Sequence, residues 1–275
     1  MRVIRADQCG FCFGVRRAIE MAVDQCNGTD TVYSLGPLIH NPQAIERLKE
    51  HGLEVIDSPD AVASGTVVIR SHGAPTAVIE SLKARGVTVV DATCPLVKRA
   101  QERARELVRE GYTLAIVGEP THPEVQAILA DVGEAVVVEE AAPESLRGAR
   151  RVGVIAQTTQ TPETFRRIVG ELMAFNFDEL RVFNTICSAT VDRQRAALDL
   201  AGRVEVMFVL GGRNSANTER LAQLCASTGV PTFHLETAAE LALEMTAGKS
   251  VAGVTAGAST PHWIIDEFVR KLESL

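Results

Sequence analysis

The sequence predicts an α/β fold built from parallel sheets, and two features of the chain carry this prediction. Short runs of β-branched residues alternate with segments of helical period along nearly the whole chain. Proline opens many of the helical segments and glycine follows several of them, as expected at helix boundaries. Such alternation is typical of parallel sheets, whose ligand sites form at the carboxyl ends of the strands. We therefore expect the functional residues in the loops that follow strands.

The individual elements follow from where the hydrophobic period changes and where turn residues interrupt it. The predicted strands are residues 3–6, 31–35, 66–70, 87–91, 113–117, 135–138, 152–156, 180–183, 205–210 and 251–255. The predicted helices are residues 15–26, 42–50, 75–85, 95–110, 123–130, 162–174, 189–201, 215–227 and 261–275. This assignment decides whether each candidate functional residue lies on a strand, on a helix or in a loop.

Composition limits the classes of protein that remain open. A length of 275 residues allows one core, two domains or three small modules, and 46% hydrophobic residues can fill a substantial interior. A net charge of −7 without a long basic run argues against a nucleic-acid binder. The first residues lack the apolar core of a signal peptide, and no apolar run is long enough to span a bilayer, so we expect a cytoplasmic protein without a membrane partner.

The loops after the predicted strands repeat three times. The first copy comprises residues 35–41, 70–73 and 91–94, the second 118–124, 157–160 and 184–187, and the third 211–217 and 256–260. The third copy lacks a cysteine-bearing strand, which the N-terminal strand can supply. We predict three similar small α/β lobes around a pseudo-threefold axis. The first comprises residues 13–94, the second 95–187, and the third 188–275 together with 1–12. One doubly wound sheet with similar turns is the alternative.

Three cysteines, Cys12, Cys94 and Cys187, each stand at a strand-to-helix corner. Backbone N–H groups and the macrodipole at a helix N-terminus stabilise a thiolate, which is the metal-binding form of cysteine. Three thiolates on one axis suit an iron–sulfur cluster with one iron lacking a protein ligand, or a zinc ion with an open position. The sequence therefore predicts a central metal pocket at which a substrate can bind.

The other cysteines have simpler interpretations. Cys26 and Cys225 lie on apolar helical patterns and are expected to pack as small hydrophobic residues. Cys9 forms a C-x-x-C with Cys12, which leaves a fourth ligand or a redox dithiol open. Only Cys12 occupies the repeated corner position, so we do not expect Cys9 to be a ligand.

A second set of polar residues occupies equivalent strand ends and is typical of an anion site. Helix N-termini after these loops add N–H donors, so a ligand with several anionic oxygens, such as a diphosphate, fits better than one carboxylate. No phosphate-binding P-loop is present, so the anion is interpreted as part of a small substrate. The residues of this set are His40, His72, His122, Ser215, Asn217 and Ser259.

One carboxylate, Glu124, lies inside this loop set, two residues after His122. A first-turn glutamate also favours the helix macrodipole, which is the alternative explanation. Within an anionic pocket a carboxylate is costly unless it handles protons. Glu124 is therefore a candidate proton donor, with Thr158 or Thr159 as its hydroxyl partner.

The motifs together resemble the 4-hydroxy-3-methylbut-2-enyl diphosphate reductase family, in order and spacing over nearly the whole chain. They are residues 10–15 (GFCFGV), 36–41 (GPLIHN), 71–73 (SHG), 91–95 (DATCP), 122–125 (HPEV), 157–159 (QTT), 185–190 (TICSAT) and 255–259 (TAGAS). The resemblance implies the last step of the methylerythritol phosphate route. There, two electrons and protons remove an allylic hydroxyl as water and give isopentenyl and dimethylallyl diphosphate.

The resemblance also implies a cofactor and a donor. One oxygen-sensitive 4Fe–4S cluster per chain would be held by Cys12, Cys94 and Cys187, and its open iron would take the substrate hydroxyl. Ferredoxin or flavodoxin would supply the electrons. An iron–sulfur hydro-lyase that needs no reductant, and an iron–sulfur or thiol redox sensor, are the alternatives.

Residue roles carried over from the family agree with the pocket described above. The three histidines, Ser215, Asn217 and Ser259 would hold the diphosphate. Glu124 would deliver protons through Thr158, which would also lie near the hydroxyl-bearing carbon. This chain has Ala216 where some members have serine, which removes one hydroxyl contact, and some members lack a cysteine at position 9.

Overall fold

Twelve strands and nine helices alternate along the chain in a computed structural model that describes residues 1–275. The strands are β1 (Arg2–Arg5), β2 (Val32–Leu35), β3 (Leu53–Ile56), β4 (Thr66–Ile69), β5 (Thr88–Asp91), β6 (Thr113–Val117), β7 (Val136–Val138), β8 (Arg151–Ala156), β9 (Glu179–Val182), β10 (Val206–Leu210), β11 (Thr232–Leu235) and β12 (Val251–Ala256). The helices are α1 (Phe13–Cys26), α2 (Pro42–Glu50), α3 (Thr76–Ala84), α4 (Pro95–Arg109), α5 (Pro123–Val132), α6 (Pro162–Met173), α7 (Ser188–Ala201), α8 (Ala216–Ser227) and α9 (His262–Glu273). The predicted α/β class is confirmed.

The strands form three four-stranded sheets in which every pairing is parallel. Listed from the strand that precedes a corner cysteine, the orders are β1-β12-β10-β11, β5-β4-β2-β3 and β9-β8-β6-β7. The same connectivity therefore occurs three times, and the prediction of three similar α/β lobes is confirmed at the level of strand order.

The N-terminal strand belongs to the sheet formed otherwise by the last part of the chain. β1 pairs with β12, with Arg2 opposite Val251 and Arg5 opposite Val254. Cys12 therefore follows an edge strand next to β12, as Cys94 and Cys187 follow the edge strands β5 and β9.

The chain forms two compact units. One comprises Met1–Arg16, Ile39–Glu50 and Ser188–Leu275, and contains the sheet with β1. The other comprises Arg17–Leu38 and His51–Cys187, and contains the other two sheets. The three lobe boundaries given above stay a prediction.

Most central strands are buried on both faces, which explains their continuous apolar sequences. Every residue of β10 is buried. Phe208 packs into a cluster with Phe268 of α9, whereas Met207 and Val209 pack on the opposite face with Leu200 of α7. Helices cover both sides of this sheet and hold the carboxyl ends of its strands in place.

Helix α4 illustrates how local sequence sets the boundaries. Pro95 occupies its first position, where no intrahelical N–H bond is lost. Its buried residues Val97, Ala100, Ala104 and Leu107 recur at helical spacing. After the helix, Gly111 adopts a φ of 81°, a left-handed conformation that glycine takes without steric cost.

Two strands are absent from the sequence assignment, which is wrong at these positions. β3 and β11 are outer strands of only four residues each, next to β2 and β10. Glu54 in β3 and His234 in β11 interrupt the apolar run. Their strand conformation comes from pairing with a neighbour, which no local pattern encodes. No helix in the structure combines the length and apolar content needed to cross a membrane.

Candidate functional site

Each corner cysteine lies directly before a helix, as predicted. α1 begins at Phe13, α4 at Pro95 and α7 at Ser188. All six cysteines are free, and these three are partly accessible. The backbone N–H of Val15 in the first turn of α1 points at Cys12 Sγ, 3.5 Å away. The sulfur of Cys12 therefore faces a backbone donor at the start of the helix.

The three cysteines are held by the same backbone bond. The N–H of Cys12 donates to the carbonyl of Ala258 at 3.0 Å, Cys94 to Ser71 at 3.0 Å, and Cys187 to Thr158 at 2.9 Å. In each case the acceptor stands two residues beyond the end of the neighbouring strand, β12, β4 or β8. Each cysteine is thus fixed to a loop that carries a predicted substrate-binding residue.

The donor set fits an iron–sulfur cluster by its chemistry, since partly accessible thiols at helix N-termini are the ligands such clusters use. Within either unit, no three His, Cys, Asp or Glu side chains come close enough to surround a single metal ion. In a cluster the cysteines bind different irons, so three sulfurs need not meet at one ion.

Cys9 differs from the corner cysteines in its environment. It packs at the edge of the apolar cluster around Phe208. Burial raises the pKa of Cys9 to about 11, although the charges of Arg193 and Arg5 oppose this rise. A thiol with this pKa stays protonated at neutral pH, which argues against Cys9 as a metal ligand. Burial likewise raises the pKa of Cys225 to about 11, consistent with a packing role.

In the first unit, two loops and the start of α2 meet around His40. Ser259 Oγ donates to the His40 carbonyl at 2.8 Å. A Cβ placed on Gly212 would lie 2.9 Å from the same carbonyl, so glycine permits this close approach. The next residue, Asn41, is buried, and its Oδ1 accepts from Ala44 N at 2.8 Å as a cap of α2. The predicted residues His40 and Ser259 thus lie together with the neighbouring Asn41.

The start of α8 contributes two further predicted residues. Ser215 caps the helix, and its Oγ accepts from Thr218 N at 3.3 Å and from Thr218 Oγ1 at 3.0 Å. Because these bonds use its lone pairs, the Ser215 hydroxyl proton can be donated elsewhere. Asn217 is 8% exposed, and its Nδ2 is buried with no hydrogen-bond partner in the chain. A buried amide donor of this kind indicates a ligand, since its desolvation is otherwise uncompensated.

In the second unit, His72 and His122 lie side by side. Their ring centroids are 5.7 Å apart in an edge-on arrangement. His122 caps α5, and its Nδ1 accepts from Glu124 N at 3.2 Å. A neutral His122 ring therefore carries its proton on Nε2, where it can donate to an anion.

Glu124 is almost completely buried, with 1% exposure. Thr158 donates twice to its carboxylate, from N to Oε1 at 2.8 Å and from Oγ1 to Oε2 at 2.7 Å. Thr158, rather than Thr159, is therefore the hydroxyl partner. Thr159 Oγ1 instead accepts from Gln157 Nε2 at 2.7 Å.

Burial gives Glu124 the protonation behaviour of a general acid. Desolvation raises the pKa of Glu124 from 4.5 to about 7, and the two bonds from Thr158 oppose the rise because they favour the carboxylate. The group therefore holds and releases a proton near neutral pH, the range in which acid catalysis is most effective. A first-turn glutamate that only complements a helix dipole would be exposed and ionised.

This pKa predicts how the stability of the metal-free chain depends on pH. The folded state binds the Glu124 proton more tightly than the unfolded state, so the contribution of Glu124 to stability is full below about pH 4.5 and is lost as pH rises through about 7. The total effect is roughly 3 kcal/mol, from 1.4 kcal/mol per pKa unit. Denaturant unfolding of wild type and Glu124→Gln at several pH values measures it, since other groups cancel in the difference. A difference that does not change between about pH 5 and 8 contradicts the raised pKa.

Two residues at the site have no role in the sequence prediction, although Gln157 lies in one of its motifs. Gln157 Oε1 accepts from Glu119 N at 2.8 Å and so supports the loop before His122. Arg193 is buried in α7 and donates to backbone carbonyls near Cys12. The available signal for Arg193 was its place on the apolar face of α7, four residues before Ala197, where a charged side chain needs partners.

These features define the class of protein: a three-sheet α/β protein in which thiols and polar side chains occupy the loops after strands, with a buried carboxyl group at the start of a helix. Residues 3–273 match the family described as LytB protein, and the chain belongs to that family.

Curated relatives agree over the full length. The chain is 45% identical over 275 residues to a 4-hydroxy-3-methylbut-2-enyl diphosphate reductase of Geobacter sulfurreducens, covering 99% of this chain and 97% of that protein. It is 46% identical over 274 residues to the enzyme of the same name from Pelobacter propionicus, covering 99% and 98%.

Two solved structures resemble the chain. One, described as (E)-4-hydroxy-3-methyl-but-2-enyl diphosphate reductase, the terminal enzyme of the non-mevalonate pathway, is 42% identical with a TM-score of 0.74 and full coverage of both chains. The other, E-1-hydroxy-2-methyl-but-2-enyl-4-diphosphate reductase from Plasmodium falciparum, has a TM-score of 0.90 over 98% of this chain and 87% of that one. At 24% identity it supports the fold alone.

Proposed function

We propose that this protein is a 4-hydroxy-3-methylbut-2-enyl diphosphate reductase, an oxidoreductase of isoprenoid biosynthesis. The observation that carries the mechanism is the position of Thr158. Its carbonyl accepts from the N–H of Cys187, while its own N–H and hydroxyl hold Glu124. One residue therefore connects a predicted cluster ligand to the predicted proton donor.

In this proposal six residues of the post-strand loops supply donors to the diphosphate. They are His40, His72, His122, Ser215, Asn217 and Ser259. The strongest support is the buried Nδ2 of Asn217 at the N-terminus of α8, where the helix dipole also favours an anion. The Ser259 proton is directed at the His40 carbonyl, so its hydroxyl must rotate to donate to phosphate.

The proposed cofactor is one 4Fe–4S cluster per chain, held by Cys12, Cys94 and Cys187. When bound, it would supply the two electrons in single steps and an open iron as a Lewis acid for the hydroxyl. A protein electron donor of the ferredoxin or flavodoxin class would reduce the cluster again. Chemistry of this kind suits the reducing cytoplasm, which six free cysteines also favour.

The residues of the chain control the protons. Reduction adds two electrons and two protons, breaks the allylic C–O bond, releases water and leaves one new C–H bond. A protonated Glu124 donates from Oε2 to Thr158 Oγ1, whose own proton is then directed to the substrate. The Thr158 N–H holds Oε1 throughout, so the carboxyl group keeps its orientation as it gains and loses the proton.

The test is an anaerobic assay of the purified chain. Iron and sulfide are quantified, and oxidation of a reduced donor is followed with and without 4-hydroxy-3-methylbut-2-enyl diphosphate. About four irons per chain with substrate-dependent oxidation supports the proposal. A cluster that dehydrates a substrate without consuming reductant indicates a hydro-lyase, and a cluster without diphosphate binding indicates a sensor.

Asn217→Ala is expected to raise KM by about 10- to 100-fold with little change in kcat, since a hydrogen bond to a charged group contributes about 1.5–3 kcal/mol. The diphosphate does not react, so its contacts are the same in the ground and transition states. Steady-state kinetics measures the effect. Asn214→Ala is the matched control, because Asn214 is exposed in the same loop. An unchanged KM would remove Asn217 from the diphosphate site.

A further inference from the structure

The loop that carries Cys12 lacks a side-chain-to-backbone hydrogen bond that shapes the other two cysteine loops. Asp91 lies three residues before Cys94, and its Oδ1 accepts from Thr93 N at 3.0 Å. At the equivalent place before Cys187, Asn184 Oδ1 accepts from Ile186 N at 3.1 Å. These side-chain turns fix the backbone that leads into each cysteine.

Cys9 stands at the equivalent position before Cys12 and cannot make this turn. A thiol is a weak acceptor and has no carbonyl oxygen to bind the N–H two residues on. Gly10, the next residue, has a φ of 93°, a conformation with little steric restriction in glycine. The Cys12 loop therefore needs a restraint from elsewhere in the fold.

Arg193 supplies that restraint. Its Nη1 donates to the carbonyls of Gln8 and Ala256, and its Nη2 donates to the carbonyl of Gly10, all at 2.9 Å. The side chain is 3% exposed. The two loop carbonyls lie on either side of Cys9, so the guanidinium holds the backbone that leads into Cys12.

The third carbonyl ties the loop to the neighbouring strand. Ala256 is the last residue of β12, and Ala258, two residues later, accepts the N–H of Cys12 at 3.0 Å. Arg193 thus joins the start of the Cys12 loop to the end of β12. The loop that follows β12 holds Cys12 through the carbonyl of Ala258. The rigid, planar fork of guanidinium donors suits several fixed acceptors, whereas a lysine ammonium is a point donor on a flexible stem.

We propose that Arg193 is a positioning residue that fixes Cys12 for cluster binding. This inference rests on the proposed iron–sulfur function. Arg193 lies on α7, the helix that begins directly after Cys187, so the helix that follows one cysteine orients the loop of another.

The first experiment uses the full chain without metal and compares wild type, Arg193→Met, Arg193→Lys and Arg203→Met. Arg203 is the matched control. It is exposed, lies just after the end of α7, and its side chain donates to the nearby carbonyl of Asp199. Alkylation of Cys12 relative to Cys187 is measured by peptide mass spectrometry, at a temperature where circular dichroism confirms folding.

Because the freed Cys12 loop opens locally, we expect the Cys12-to-Cys187 alkylation ratio to rise about threefold or more in Arg193→Met. Arg203→Met should match wild type. A general loss of stability would raise the reactivity of both cysteines together, so an unchanged ratio in a folded Arg193→Met variant overturns the proposal.

The second experiment measures how fast a chelator removes iron from the anaerobically reconstituted chain. Residues that orient metal ligands typically contribute 10- to 100-fold in metal affinity, so we expect about 10-fold faster iron loss in Arg193→Met and an intermediate rate in Arg193→Lys. Wild-type rates in both variants contradict the inference. If wild type itself binds no iron, the proposed function fails, and the alkylation experiment still decides the role of Arg193.

Discussion

Replacing Glu124 by glutamine is expected to lower kcat by about 10²- to 10⁴-fold, the usual contribution of a positioned proton donor. Iron content and KM should stay near wild type. Gln Oε1 can still accept from Thr158 N, and its Nε2 can donate to Thr158 Oγ1, so the buried pair keeps its shape without a transferable proton. Anaerobic steady-state kinetics on cluster-loaded protein measures the loss.

The pH profile separates this role from a structural one. Because the pKa of Glu124 is raised to about 7, wild-type kcat should fall above about pH 7 as the carboxyl group loses its proton. The residual kcat of Glu124→Gln should not show this decrease above about pH 7. Glu119→Gln makes the same chemical change in the same loop and should behave as wild type. Near-normal turnover in Glu124→Gln would remove this residue from the proton path.

Replacing Cys12, Cys94 or Cys187 by serine is expected to abolish most of the iron content and activity in each case. Serine offers a hydroxyl with a far higher pKa than a thiol, so it cannot supply the thiolate that iron–sulfur clusters use. Iron and sulfide assays after anaerobic reconstitution, with the visible absorption of the cluster, measure the loss. Equal losses at the three positions would support one shared centre.

Cys9→Ser is the control, because Cys9 lies beside Cys12 but has a pKa of about 11 and packs against the apolar core. It should retain about four irons per chain. Loss of the cluster in this variant would indicate a site with four thiolates, which leaves no open iron for the substrate. Full iron binding by Cys12→Ser, Cys94→Ser or Cys187→Ser would remove that cysteine from the proposed ligand set.

The sequence by itself determined the α/β class, the threefold repeat and the cysteine corners. These depend on local signals: the change between strand and helix periods, proline at Pro95 and Pro123, and cysteines directly before helices. The repeat could be detected because equivalent loops reuse the same residue types. The missed strands β3 and β11 mark the limit, since short outer strands owe their conformation to pairing with a neighbour.

Only the tertiary structure decided what the polar residues do. The choice of Thr158 over Thr159 depends on which hydroxyl faces Glu124, across 34 residues of sequence. The raised pKa of Glu124 comes from burial, and the roles of Gln157 and Arg193 come from contacts with distant loops. Burial and hydrogen bonding are properties of neighbours in space, so strand pairing and helix packing must bring those neighbours together before a side chain acquires its function.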